Sequence, residues 1–174
     1  MTASKPVAPS FAVQEAGIRE AKSEDNPGIL ECLSEAFAPY RAQYTEGAFA
    51  DTVLTQESLT RRMAAMTVLV AVSPDQAVIG TIALSGARGE DGHLRGMAVR
   101  SSWQGRGIAE RLLADAEAEL RARGCLRVTL DTTQPLTRAI AFYRKRGYAP
   151  TGRVEDFFDM PLYEYAKELK AGSG

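Results

Sequence analysis

A mixed α/β domain is the fold class the sequence predicts, on three observations. Stretches in which apolar and polar residues alternate recur along the chain, as they do in strands. Between them lie segments whose apolar residues repeat at helical spacing. Their order is strand, two helices, three strands, helix, strand, helix, two strands, which gives six to seven strands and about four helices.

The elements follow in order. Residues 1–15 carry Pro6, Pro9 and many small side chains and read as a disordered arm, so one domain is expected over 16–169, with Lys170 to Gly174 as a frayed end. Gly17 to Ala21 suits a first strand. Asn26-Pro27 opens a helix, with Asn as cap and Pro at the first helical position, and Ile29, Leu30, Leu33 and Phe37 form its buried stripe. Pro39 to Asp51 reads as irregular and aromatic. Thr55 to Met66 is a second helix capped by Thr55 or Ser58. Thr67 to Val72 and Ala77 to Leu84 are strands joined at the turn sequence Ser73-Pro74-Asp75. His93 to Val99 is the next strand. Ile108, Leu112, Leu113, Ala116 and Leu120 then mark one face of a long helix that Gly124 ends. Leu126, Val128 and Leu130 alternate as a strand, Ala139 to Tyr148 holds a short helix, and Tyr148 to Val154 and Met160 to Tyr165 form a last pair linked through Glu155 to Asp159.

Trp103 to Ala109 joins a strand to an amphipathic helix through Gln104, Gly105, Arg106, Gly107, Ile108 and Ala109. The first turn of such a helix has backbone N–H groups without intrahelical partners and the positive end of the helix dipole, so an anion is stabilised there. Glycines let the main chain approach that anion. A dinucleotide fingerprint would need a small residue where Glu110 stands, and a Walker A loop would need a Gly-Lys-Ser/Thr that the chain lacks.

What remains, Gln-x-x-Gly-x-Ala, resembles the Arg/Gln-x-x-Gly-x-Gly/Ala loop of the GNAT superfamily of N-acetyltransferases. Downstream, Ala139-Ile140-Ala141-Phe142-Tyr143-Arg144-Lys145-Arg146-Gly147-Tyr148 is similar to the A-x-x-F-Y-x-x-x-G-F/Y element of that family. The resemblance covers Leu94 to Thr151. It implies a GNAT-like fold with a central mixed, mostly antiparallel sheet whose strands near Val99 and Leu130 run parallel and splay into a V-shaped slot. Acetyl-CoA, the implied acyl donor, fills that slot. Its pyrophosphate is implied to rest on the backbone of Gln104 to Ala109 with Arg106 beside it, and its pantetheine arm on the main chain at Met97, Ala98 and Val99. The asparagine that the family often carries seven residues before the tyrosine is Leu136 here, with Gln134 or Thr137 as substitutes.

Acyl transfer to an amine needs a held thioester, a neutral nucleophile, donors for the oxyanion and a proton for the thiolate. By its place in the motif Tyr143 is implied as the proton donor, although its position on a helical face beside Ile140 also suits core packing. His93 is the candidate base: it stands six residues before Val99, where many relatives carry a glutamate, and imidazole titrates in the useful range. Asp91, Glu46 and Glu155 are alternatives, as is ordered water. Gly96 replaces a usually larger residue and suggests a slot widened for longer acyl chains. Pro39 to Asp51 and Glu155 to Asp159, aromatic and acidic, are expected to frame the amine.

The 174 residues suffice for a core without staples. Two cysteines far apart and a single histidine indicate neither a disulfide framework nor a metal site. The apolar runs are too short to span a membrane and the N-terminus lacks a signal-peptide layout, so a cytoplasmic protein with no membrane partner is expected. Net charge is −1, yet Arg95 to Arg153 holds 12 basic against 5 acidic residues and the remainder 9 against 17. The basic part is the one assigned to coenzyme A. The reading is therefore an acetyl-CoA-dependent N-acetyltransferase acting on a small-molecule or peptide amine by direct attack in a ternary complex. A non-catalytic acyl-CoA sensor of the same fold is the alternative. No nucleic-acid recognition motif is present, and relatives often pair through their last strands, so a homodimer is an option the resemblance raises.

Overall fold

Alternating strands and amphipathic helices assemble into one sheet covered on both faces. The computed structural model describes residues 16–170; the arm expected over 1–15 lies outside the described residues. In chain order the elements are β1 (Gly17–Glu20), α1 (Asn26–Phe37), α2 (Glu46–Thr52), α3 (Gln56–Ala65), β2 (Thr67–Val72), β3 (Val78–Ser85), β4 (Gly92–Val99), α4 (Ile108–Ala122), β5 (Arg127–Thr132), α5 (Thr137–Lys145), β6 (Ala149–Phe157) and β7 (Met160–Glu168). Among the described residues the sheet has seven strands in the order β1-β2-β3-β4-β5-β7-β6. All neighbours are antiparallel except β4 and β5, which are parallel. No helix of the described residues is long and apolar enough to cross a membrane.

Two apolar layers hold the sheet. One face packs on α4, where Leu112, Ala116 and Leu120 are fully buried against Leu94, Val128 and Leu130. The other packs on α1 and α3 through Ile29, Leu33 and Leu59 against Val68, Val70 and Ala98. Each large aliphatic side chain so buried contributes about 1.5–3 kcal/mol. Gly80 of β3 lets α4 come close: a Cβ there would stand 3.0 Å from Leu112 Cδ1 and 3.1 Å from Ile108 Cγ2.

Several boundaries differ from the sequence expectation. Pro39 to Asp51 is not irregular: a 3-10 turn over Ala38–Gln43 leads into α2, making five α-helices among the described residues. Thr45 caps α2 by accepting from the Ala48 N–H, a local signal outweighed in the sequence by the glycine and aromatic content around it. Asn26 is not a cap but the first residue of α1; Asp25 precedes it, and its carboxylate accepts from Arg19 and from the Lys22 N–H instead. Thr55 and Ser58 both cap α3, each side chain accepting from the other's backbone N–H. Leu126 lies before β5 and is 66% exposed, so the alternation starts at Val128. The Glu155-to-Asp159 linker is mostly strand, with β6 and β7 turning at Phe158 and Asp159, both at positive φ (49° and 67°).

Two irregularities open the centre of the sheet. Thr81 pairs with Ala98 and Ala83 with Arg95, so β4 holds one residue more than β3 in this interval, a bulge at which Gly96 takes φ 65°. The extra residue reverses the side-chain alternation, and Leu94 and Val99, five apart, both reach the α4 core while Ala98 faces α1. The parallel pairing of β4 with β5 covers only Gly92–Val128, His93–Thr129 and Leu94–Leu130. Beyond Leu94 the two strands part.

Candidate functional site

The gap between β4 and β5 is a cavity of about 490 Å³. Met97, Ala98 and Val99 line it from one side, Leu130, Asp131 and Thr132 from the other, and α5 contributes Phe142 and Tyr143. At its far end lie Gln104, Gly105, Gly107, Ile108 and Ala109. The splay follows from the bulge, since a β4 kinked at Gly96 cannot keep its ladder with β5.

The loop before α4 has the geometry of an anion cradle. Gly105 and Gly107 sit at φ 75° and 81°, where L side chains are disfavoured, and Gly107 is the residue that opens the helix. A Cβ on Gly105 would meet nothing within 4 Å, so space is left beside the backbone. Gln104 Nε2 donates to the Val99 carbonyl oxygen at 3.0 Å and ties the loop to the end of β4. Arg106 is not among the cavity's lining residues; its guanidinium carbon lies 5.1 Å from the centre of the Trp103 ring. Gln134 and Thr137 also stand outside the lining, while Leu136 is part of it.

Other donors face this cavity. Arg138 and Arg146 line it, and Arg146 Nε is buried without a hydrogen-bond partner among the described residues. The rest of that guanidinium donates to the Phe142 carbonyl at 3.2 Å and lies 3.3 Å from Glu110 Oε2. Thr132 is 3% exposed, and its hydroxyl likewise has no described partner. Buried polar atoms are ordinarily paired, so a wall with two orphans suits a polar ligand. Their helical or strand spacing carries no sequence mark of this role, which explains why Thr132, Arg138 and Arg146 were not among the expected residues.

Tyr143 packs by its ring, edge-on to Phe142 (5.4 Å) and Tyr148 (5.7 Å). Its hydroxyl makes no hydrogen bond to a described residue, and burial raises the phenol above its ordinary pKa of 10.0. Tyr148 contrasts with it: its hydroxyl donates to Glu117 Oε1 at 2.8 Å, and Glu117 also accepts from Lys167 at 3.0 Å.

His93 lies in a second cavity of about 350 Å³, together with Asp91, Thr129, Asp131, Glu155 and Glu164 and with Arg153 as the cation. His93 Nδ1 is 2.9 Å from Thr129 Oγ1, and Nε2 is 3.5 Å from Asp131 Oδ2. Burial lowers the imidazole below 6.5 and raises the Asp131 carboxyl above 3.8, outweighing their mutual attraction, so each is driven toward its uncharged form. Of the alternative bases, Asp91 and Glu155 share this cavity. Glu46 is not in its lining; it opens α2. The two segments expected to frame the amine meet each other: the Thr45 hydroxyl donates to the Phe158 carbonyl at 2.6 Å, and the Phe158 ring lies 2.7 Å from where a Gly47 Cβ would stand.

The space beside Gly96 is not open. Arg62 Nη1 stands 2.6 Å from the position a Cβ would take, which corrects the expectation of a widened slot. Burial, with Arg95 nearby, lowers the Arg62 guanidinium to about 10.

Residues 29–148 match the model of the acetyltransferase (GNAT) family. The chain is 38% identical over 71 residues to an aminoglycoside N(6')-acetyltransferase type 1 of Stenotrophomonas maltophilia, a stretch covering 41% of this chain and 46% of that enzyme. Among solved structures it superposes on the PaiA N-acetyltransferase of Thermoplasma acidophilum in complex with coenzyme A, with a TM-score of 0.72 and 21% identity over 88% of this chain and 98% of that one. It also superposes on the ribosomal-protein-S18-alanine N-acetyltransferase of Escherichia coli, with a TM-score of 0.72 and 15% identity over 91% and 97%.

Proposed function

The chain belongs to the acetyltransferase (GNAT) family, and from that premise we propose that it transfers an acetyl group from acetyl-CoA to a primary amine by direct attack in a ternary complex. The observation that carries the reading is Tyr143, a phenol in the cavity wall whose hydroxyl has no partner among the described residues. Core packing alone gives no reason for a hydroxyl in a cavity wall to go without a partner.

In this reading the 104–109 loop and the first turn of α4 hold the donor's pyrophosphate, and Arg138 and Arg146 supply charge-assisted hydrogen bonds to its phosphates. Main-chain groups of Met97, Ala98 and Val99, on the stretch of β4 that no longer pairs with β5, hold the pantetheine arm. An N–H there polarises the thioester carbonyl. The amine nitrogen forms its bond to the carbonyl carbon, the carbon–sulfur bond breaks, and the thiolate takes the proton of the Tyr143 hydroxyl. A phenol at its ordinary pKa donates to a thiolate uphill by about 2 kcal/mol. Burial raises the phenol, but a thiolate in the same cavity is raised with it, so that difference is not enlarged in proportion.

The amine enters from the His93 side, where Asp91, Asp131, Glu155 and Glu164 favour a cation. His93, held toward its neutral form, is the proposed proton acceptor. The curated relative acts on aminoglycosides, which are amines, and this supports the acceptor class without selecting one member of it. Acetyl as the preferred acyl group and a cytoplasmic location belong to the same reading.

Calorimetric titration with acetyl-CoA, followed by thiol release over a panel of alkylamines, tests it. One-site binding and amine-dependent release are expected. Binding with no release from any amine would favour the sensor, and no binding by the folded protein would remove the assignment.

A further inference from the structure

Among the described residues only Asp131 lines both cavities, the donor slot between β4 and β5 and the acidic groove around His93. Its place follows from the splay. Asp131 is the first β5 residue past the last parallel pair, Leu94 with Leu130. There β4 no longer covers the strand, and a side chain pointing to the groove face also reaches the slot.

We propose that Asp131 is a catalytic residue of the amine acceptor: its carboxylate docks the incoming ammonium where groove meets slot, takes one of its protons, and passes that proton to His93 Nε2. The proposal rests on the acyltransfer reading above and names the group through which the acceptor reaches the acyl carbon.

The transfer uses one of the two tautomers that the His93 contacts allow. In the arrangement this transfer uses, the Thr129 hydroxyl donates to the Gly92 carbonyl at 3.4 Å and its oxygen accepts from His93 Nδ1–H at 2.9 Å. That tautomer leaves the Nε2 lone pair facing Asp131 Oδ2 at 3.5 Å. The pair can therefore receive a proton from the slot side at Asp131 and release it on the groove side from His93. An ammonium is written R–NH3⁺; one N–H bond breaks, its proton joins the carboxylate, and the neutral amine keeps the electron pair with which it attacks. Every charged neighbour of Asp131 bears on this. His93 and Arg95 approach from β4, Glu164 from β7 and Glu155 from β6, and Arg153, which lines the same groove, pairs with both glutamates. The two glutamates raise the carboxyl, Arg95 and His93 lower it, and burial adds to the raising side, which makes Asp131 a better proton acceptor than an exposed aspartate.

The test compares wild type with Asp131→Asn and Asp131→Glu, and with Asp115→Asn as a control for loss of an exposed α4 carboxylate that lines neither cavity. The readouts are KM for an alkylamine that wild type acetylates, kcat by thiol release, and acetyl-CoA affinity by calorimetry. Expected for Asp131→Asn is an amine KM raised tenfold or more and a reduced kcat, with acetyl-CoA affinity within twofold of wild type. Asp131→Glu recovers part of both, and Asp115→Asn changes neither. An unchanged amine KM and kcat in Asp131→Asn, or an equal loss of acetyl-CoA affinity, would overturn the assignment while leaving the acyltransfer reading intact. Failure of wild type itself to acetylate any alkylamine would remove that reading and this inference with it.

Discussion

Replacing Tyr143 by Phe separates catalysis from packing. The ring sits edge-on between Phe142 and Tyr148 at 5.4 and 5.7 Å, contacts that Phe keeps, and the lost hydroxyl has no described partner. No intramolecular hydrogen bond is removed, so unfolding free energy should change by less than about 1 kcal/mol and Tm by less than about 4 °C. Activity should fall much further. General acid catalysis contributes about 10²- to 10⁴-fold, equivalent to about 2.7–5.4 kcal/mol of barrier, and that is the expected loss in kcat. Tyr148→Phe gives the opposite pattern, since its hydroxyl donates to the buried Glu117 carboxylate at 2.8 Å, a bond worth about 1.5–3 kcal/mol. It should lower Tm and leave kcat near wild type. Thermal melts, acetyl-CoA titration and thiol release on the two variants decide the matter. Tyr143→Phe with kcat within twofold of wild type and normal donor binding would refute the acid role. A Tm drop beyond about 10 °C would show that the hydroxyl belongs to the core after all.

Three further outcomes follow from the structure. Gly107 opens α4 at φ 81°, so Gly107→Ala should cost about 1–2 kcal/mol of backbone strain in denaturant unfolding and weaken acetyl-CoA in calorimetry, whereas the exposed Ala141→Gly should leave the affinity unchanged. Glu117 is 6% exposed and accepts from both Tyr148 and Lys167, and Glu117→Ala should destabilise by about 3 kcal/mol in urea, the low end for a buried pair because Lys167 is a quarter exposed. The folded pKa of His93 lies below its ordinary 6.5, so between the two values the unfolded chain binds more protons than the fold. Its contribution to stability is complete above 6.5 and is lost as pH falls through the folded value. The acid limb of kcat/KM for the amine should therefore have its midpoint below 6.5 and change in His93→Gln; an unchanged limb in that variant would exclude His93 as its source.

Residue type and spacing alone marked the loop geometry that opens α4. Gly105 and Gly107 mark backbone that only glycine adopts readily, and Ile108, Leu112, Ala116 and Leu120 mark a helix face, because both signals are local and periodic. β2 and β3 were legible as apolar runs joined at the Ser73 to Asp75 turn, and the place of Tyr143 came from the resemblance of its helix to the family element. What only the tertiary structure decided depends on strands distant in sequence. A single extra residue at Gly96 ends the β4–β5 ladder after Leu94 and makes the slot, and no count along β4 alone reveals an insertion relative to β3. The same splay puts Asp131 in two cavities at once, sets His93 beside it from 38 positions earlier, and leaves Arg62 of α3 in the room beside Gly96. Helical and strand periods report which face a residue takes; which faces meet is settled by packing, and the chemistry of this site is made where they meet.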